Sequence, residues 1–315
     1  MSVQPCDITA GFTERQMIFI SQEVIIMPNN YDDYGNGNNN NNGYGNYYGQ
    51  NNNYGQNNYN NFYNPNNYNS QYETQQTALN AMRSGNPYAA AAAQQQTLRY
   101  SMKDVMARTF LFMTIALLIT AITALAVYTN NPYFLIQNGM STFIILAIIE
   151  VAIVIGATFA IKANNTTLSG VLFLAYSIIN GLTLSVIFLV YTEGSIAKVF
   201  FLTAGLFGVM AVIGFTTDRD LTSFGTLLMI GLFGIIIASI INFFLKSSGL
   251  DYLLCVAGIA IFLGLTAYDT QKIKNLAINN PGYSLSVIAM YGALELYLDF
   301  INLFLRLLQL LGKRN

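Results

Sequence analysis

The sequence predicts an all-α, polytopic membrane protein, and three observations carry that fold class. Charged residues make up only 9% of the 315-residue chain, against about 25% in a typical soluble domain. Seven apolar runs cover about residues 108–129, 142–162, 167–191, 196–216, 223–246, 251–271 and 284–311. Each is close to the ~20 residues a helix needs to cross a hydrocarbon core of about 30 Å. Short polar connectors separate them: Asn130-Asn131-Pro132, Asn164-Asn165, Thr192-Glu193-Gly194, Asp218-Arg219-Asp220, Ser247-Ser248-Gly249 and Asn279-Asn280-Pro281-Gly282. A closed β-barrel would show polar and apolar residues in alternation. These runs are continuous, so helices are expected.

Residues 1–98 are expected to form a disordered cytoplasmic tail, and residues 99–315 the membrane domain. From Asn29 to about Gln76 the chain is Asn/Tyr/Gly/Gln low complexity, without aliphatic side chains to offset the entropy of ordering. Its alternation of Tyr with polar residues is similar to prion-like tracts, which can self-associate. Ala89–Gln96 suits a short helix leading into the membrane. Residues 1–26 fit neither the tail nor a signal peptide, since no sustained apolar stretch follows a basic start. Gln22-Glu23-Val24 can be encoded by a bacterial ribosome-binding sequence shortly before Met27, so a natural start at Met27 is expected, as is a bacterial source. Native protein beginning at Met1 would overturn the first expectation.

Composition also excludes several chemistries. Histidine is absent, which removes imidazole catalysis and the commonest transition-metal ligand. Cys6 and Cys255 are too separate in context for a disulfide framework. The net charge of −1 offers no basic surplus for nucleic acid. No cofactor and no enzymatic activity are expected.

Orientation follows from the bias of Lys and Arg. Arg99, Lys103 and Arg108 precede the first span, and Lys162, Arg219, Lys272 and Lys274 fall on the same side, against Lys198 and Lys246 opposite. The N-terminus is therefore expected in the cytoplasm, with the chain multi-pass in the cell membrane and the lipid bilayer its first partner. Seven crossings then put Lys313-Arg314 outside, against the rule. Either the last span stops short or the established topology overrides two terminal charges. Small residues, including Gly181, Ser185, Gly205, Gly208, Gly231, Gly234 and Ala238, are expected to let helices approach closely.

Charges inside spans are costly and usually face a cavity or a partner. Glu150 lies in the second span, Asp269 near the cytoplasmic end of the sixth, and Glu295, Asp299 and Arg306 in the seventh. Offsets of 4, 7 and 11 residues from Glu295 place Asp299, Asn302 and Arg306 on one helical face. Such a stripe on a greasy helix suits an interior position along a water-accessible route. The plainer alternative is a structural ion pair, Asp299 with Arg306 or Glu295 with a neighbouring Lys. If the sixth and seventh helices pack antiparallel, Asp269 and Asp299 converge. Two close carboxylates cannot both ionise cheaply in low dielectric, so they share a proton. The pair would then be a latch, hydrogen-bonded when protonated and repelled apart when both groups are charged, with Lys162 available as counter-charge.

Ala267-Tyr268-Asp269-Thr270-Gln271 and the stretch Leu294-Glu295-Leu296-Tyr297-Leu298-Asp299-Phe300-Ile301-Asn302-Leu303-Phe304 resemble the two C-terminal signatures of the Bax inhibitor family, YccA-like bacterial members included. Thr217-Asp218-Arg219-Asp220-Leu221 with Phe224-Gly225, and Asn180-Gly181-Leu182-Thr183-Leu184-Ser185, are similar to its fourth-to-fifth connector and third-span motif. The likeness covers about residues 99–312. It implies seven helices with the last central and surrounded by the others, and a proton-sensitive calcium leak gated by an aspartate pair, here Asp269 and Asp299. It also implies that Glu150 is the family's acidic residue of the second span and Lys162 its basic partner, although Arg is frequent there and Lys offers no bidentate fork.

Three functions compete. The first is a calcium or other cation leak channel, in which Asp269, Asp299, Glu150, Glu295 and Asn302 supply weak, transient oxygen ligands. The second is a membrane regulator of a membrane-bound protease, as YccA-like relatives suggest. The third is an intramembrane aspartyl protease, since paired aspartates could serve as acid and base. The last is disfavoured: Leu296-Tyr297-Leu298 precede Asp299 where that class carries a Gly-rich motif, and no Pro-Ala-Leu segment follows. A retinal receptor fails because the seventh span has no Lys for a Schiff base.

Overall fold

The structure, a computed structural model, describes residues 87–133, 139–279 and 283–315 together with Asn80 and Arg83. The proposed start at Met27 and, apart from Asn80 and Arg83, the expected disorder of residues 1–86 lie outside these residues, whereas residues 87–98 of the expected tail are helical. One unit of the chain takes in Ser101–Asn315, the other Met27–Tyr100. Of the latter, the stretch from Pro87 is helical and continuous with the first long helix, so the Ala-rich segment is the beginning of that helix and not a separate one.

Seven long helices stand among the described residues: α1 Pro87–Asn130, α2 Gly139–Lys162, α3 Thr166–Leu184, α4 Glu193–Thr216, α5 Thr222–Leu245, α6 Ser248–Asn279 and α7 Leu285–Leu311. All seven are long and apolar enough to cross a membrane. α3 continues through Ser185 and Val186 into a four-residue helix, Ile187–Val190. At that joint the Ser185 amide donates to both Gly181 and Leu182 carbonyls, at 3.1 and 3.3 Å, and its hydroxyl donates to Leu182 O at 2.7 Å. This tightens the last turn. α6 runs past residue 271, because Gln271 to Asn279 keep helical geometry although their polarity ends the apolar run.

α7 is the centre of the bundle. Every residue from Val287 to Leu308 is buried, and its most apolar window is 100% buried, against 28–56% for the other six spans. A helix that carries a polar stripe cannot place it against lipid, so its neighbours must enclose it. α7 packs on α6, α4, α3 and α2, and α1 reaches it through Thr109 Oγ1, which donates to Ala289 O at 3.3 Å.

α7 traverses the whole bundle. Its start is fixed beside the α2–α3 connector, where the Ser284 amide donates to Asn164 Oδ1 at 3.0 Å. Its other end lies beside the α3–α4 connector: the Thr192 amide donates to Lys313 O at 3.0 Å and the Asn315 amide to Val190 O at 2.9 Å. The last span therefore does not stop short.

The glycines divide in a way the small-residue pattern did not anticipate. A Cβ on Gly181 would lie 2.7 Å from Thr120 O, so α1 and α3 touch there, whereas Gly205, Gly208 and Gly234 have nothing within 4 Å. Those three make no close approach among the described residues. The tightest approaches are at Gly214 against the Ala267 backbone and at Gly225 against the Tyr268 ring.

Candidate functional site

The Gly214 and Gly225 contacts seat α6 with Ala267 against α4 and Tyr268 against α5, and the next residue, Asp269, is buried in the bundle. Asp269 and Asp299 are 2% and 5% exposed, and their carboxyls lie close enough for one, when protonated, to donate to the other. A hydrogen bond between two carboxyl groups needs a proton on one of them.

Glu295, one turn before Asp299, extends the acid group. Its Oε1 lies 4.0 Å from Lys272 Nζ. The ammonium also sits over two aromatic faces, 5.3 Å from the Tyr291 centroid and 5.9 Å from that of Tyr268. Lys272 follows Asp269 by three residues, so the two share a face of α6. The cation set against the acids is thus Lys272. Lys162, the counter-charge suggested by sequence, ends α2 half-buried, with its ammonium 5.9 Å from the Phe159 centroid.

One turn beyond Asp299, Asn302 Nδ2 donates to Leu298 O at 2.9 Å. Among the described residues, no donor meets Asp269 Oδ1, Asp299 Oδ2 or Asn302 Oδ1, all of them buried. Buried acceptors of this kind are rare and costly in a protein interior. Arg306 completes the stripe about 10 Å past Asp299 along the helix axis. Its Nη1 donates to Gln309 Oε1 at 3.3 Å, and its Nε lies where a Cβ on Gly258 would come within 3.1 Å.

Glu150 belongs to a different polar group. It is buried and accepts a hydrogen bond from Thr183 Oγ1 at 2.8 Å. Nearby, the Tyr297 hydroxyl and Thr120 Oγ1 lie 2.7 Å apart, and Thr120 donates to Ser177 O at 2.9 Å. The structure therefore brings Asp269, Asp299, Glu295 and Asn302 into one line, with Glu150 in a second group and Arg306 farther along α7. No three acidic or thiol side chains among the described residues converge as a metal-holding group.

Sequence reasoning offered a lysine beside Glu295 without saying which, here Lys272, and gave no role to Tyr291, Thr183 or Gln271. The last pins the α4–α5 connector: its Nε2 donates to Arg219 O at 2.7 Å and its Oε1 accepts from the Leu221 amide at 2.8 Å. Helical spacing from Asp269 and Glu295 marks Lys272 and Tyr291 as facing residues; Thr183 and Gln271 stand inside the quoted family-like stretches, but no spacing marks their partners.

Six apolar helices around a buried seventh that carries carboxyl groups define a polytopic membrane protein with an acidic interior site. Residues 102–315 match the family described as inhibitor of apoptosis-promoting Bax1, and the chain belongs to this Bax inhibitor family. It is 43% identical over 220 residues to the inner membrane protein YbhL of Escherichia coli K12, covering 69% of this chain and 94% of that one. A Borreliella burgdorferi protein is 43% identical over 213 residues, or 66% of this chain and 91% of the relative. RP147 of Rickettsia prowazekii is 38% identical over 228 residues, covering 70% and 94% respectively.

Proposed function

We propose that the protein is a pH-sensitive cation leak channel of the cell membrane, with calcium as the permeant ion and a proton shared by Asp269 and Asp299 as the gate. The observation that carries this reading is the approach of two buried carboxyls, Asp269 and Asp299, where α6 meets the central α7, close enough for a hydrogen bond while one of them is protonated. Breaking it requires only the loss of one proton, after which two like charges repel in a low-dielectric interior. The buried, donor-less oxygens of Asp269, Asp299 and Asn302 offer the hard ligands that calcium prefers, too few to hold it tightly. Glu295 lies on the same face; Glu150 and Arg306 lie off the acid cluster and would act on ions elsewhere along their route. Lys162 would act as a charge at the end of α2, with the N-terminus cytoplasmic. This role is non-enzymatic and uses no cofactor.

Calcium flux into liposomes containing the purified protein, measured from pH 6 to 8, tests the reading. Wild-type flux should change with pH, and the D269N/D299N double variant should lose that dependence. An unaltered response in the variant would refute the gate. No flux from wild type, with a membrane protease co-purifying, would favour regulation of that protease instead.

A further inference from the structure

We propose that the polar group around Glu150, on the far side of α7 from the aspartate pair, binds one monovalent alkali cation, with Glu150 Oε2 and Asn180 Oδ1 as its anchoring ligands. The site stands apart from the proposed gate and needs neither aspartate. Helical geometry separates the two. Tyr297 lies two residues from both Glu295 and Asp299, about 200° round the helix, so it faces almost opposite to the acid stripe. On that face Tyr297 meets α1 through Thr120, their hydroxyl oxygens 2.7 Å apart. It meets α3 through the edge of the Tyr176 ring, with 5.8 Å between centroids. Asn180 Nδ2 donates to the Tyr176 hydroxyl at 3.2 Å. One turn on, Thr183 Oγ1 donates to Glu150 Oε1 at 2.8 Å, and Glu150 is near enough to act on Tyr297 electrostatically. Gly181 lets α1 lie directly on α3 here, since a Cβ would fall 2.7 Å from Thr120 O. Four helices thus close around one group of oxygens.

Two of those oxygens have no donor among the described residues. Glu150 Oε2 and Asn180 Oδ1 are shut off from solvent and without a hydrogen-bond partner there, in residues only 2% and 0% exposed. Buried acceptors in this state are costly. Glu150 also forms no ion pair among the described residues. α3 carries no charged residue, and Lys162 stands twelve residues along α2, roughly 18 Å away along its axis. A water molecule can donate to both oxygens, but it leaves a carboxylate charge uncompensated in an apolar bundle, which is the larger cost. A cation answers both needs. The ligands set its charge: one carboxylate among neutral amide and hydroxyl oxygens cancels a single positive charge, whereas a divalent ion would leave one unit of charge buried. Calcium, moreover, takes about six to eight oxygens. The competing way to cancel the charge is a proton on Glu150, and the experiment separates the two.

The test is thermal unfolding of the full-length protein in detergent, at constant pH and ionic strength, with choline chloride exchanged for sodium or potassium chloride. Sodium or potassium should raise the melting temperature in a saturable way, by about 2 °C or more at saturation. Glu150→Gln keeps the shape, removes the charge and should abolish the shift. Asn180→Ala should raise the half-saturating concentration about tenfold or more. Equal melting in all three salts would overturn the site, because a proton or a water then satisfies Glu150. A shift that persists unchanged in either folded variant overturns it too. Should neither variant fold, equilibrium binding of radioactive sodium and rubidium to the wild-type protein decides. A single ion per chain, displaced by unlabelled alkali salt and not by choline, is expected; no bound ion contradicts the proposal. None of these readings involves flux, so the cation site and the gate fail independently.

Discussion

Replacing Gly214 by Ala tests the contact that seats the acid pair. Gly214 lies in the last turns of α4, directly against the backbone of α6. A Cβ at this position would fall 2.8 Å from Ala267 Cα and its carbonyl carbon, and nearer still to the carbonyl oxygen. Ordinary contact begins near 3.4 Å, so the helices must part by at least about 0.6 Å. Both sides are helical backbone, and no rotamer change relieves the clash. A gap of about 0.5–1 Å along the rest of the interface forfeits a quarter to a half of each dispersion contact. Overpacking of this kind costs about 1–3 kcal/mol, which outweighs the gain of up to about 1 kcal/mol in helix propensity from Gly to Ala. Because Asp269 follows Ala267 by two residues, the same displacement shifts its carboxyl relative to Asp299. Thermal unfolding of the purified protein in detergent provides the assay, with G234A as control since nothing lies within 4 Å of that site. G214A should melt several degrees lower, while G234A should match or exceed wild type. Equal melting temperatures for the two variants would refute the reasoning.

Other consequences follow from single contacts. Thr183→Val leaves the buried Glu150 without its 2.8 Å donor and should destabilise by about 1–3 kcal/mol; the E150L/T183V double variant should recover most of that loss in the same unfolding assay. Gln271→Ala strips partners from Leu221 and Arg219, so amide exchange at Leu221 should accelerate about tenfold or more while the core of α7 is unaffected. Asp220, in the exposed α4–α5 connector, accepts from both the amide and the hydroxyl of Thr222 at 2.9 and 2.6 Å; the hydroxyl bond first, then the amide bond, hold its carboxyl below the usual carboxylate range. The stabilisation is therefore complete above the ordinary Asp range and fades as pH falls through the lowered value. Exchange at the first turn of α5 should rise in acid for wild type and lose that dependence in D220A.

The seven spans were legible because lipid demands long apolar runs, and no soluble constraint competes with that signal. The central place of α7 was equally legible, since Glu295, Asp299, Asn302 and Arg306 could not all face hydrocarbon. What the sequence could not separate was direction around each helix for residues without charge. Gly205, Gly208 and Gly234 have the same composition as Gly181, Gly214 and Gly225, yet face open space, because smallness permits close approach without requiring it. Lys272 was read as one more positive charge at a span end. Only the extension of α6 past residue 271, which polarity concealed, carries it back into contact with Glu295. Thr183 and Gln271 act through neighbours distant in sequence, and their own residue types reveal nothing of that.

The shared proton is tested most directly by comparing D269N, D299N and the double variant in calcium flux from pH 6 to 8. A single proton held by both carboxyls makes the two substitutions strongly non-additive: each alone should abolish the pH response, and the double variant should match the singles. Independent, additive effects of the two changes, or a pH response that survives either one, would contradict the account.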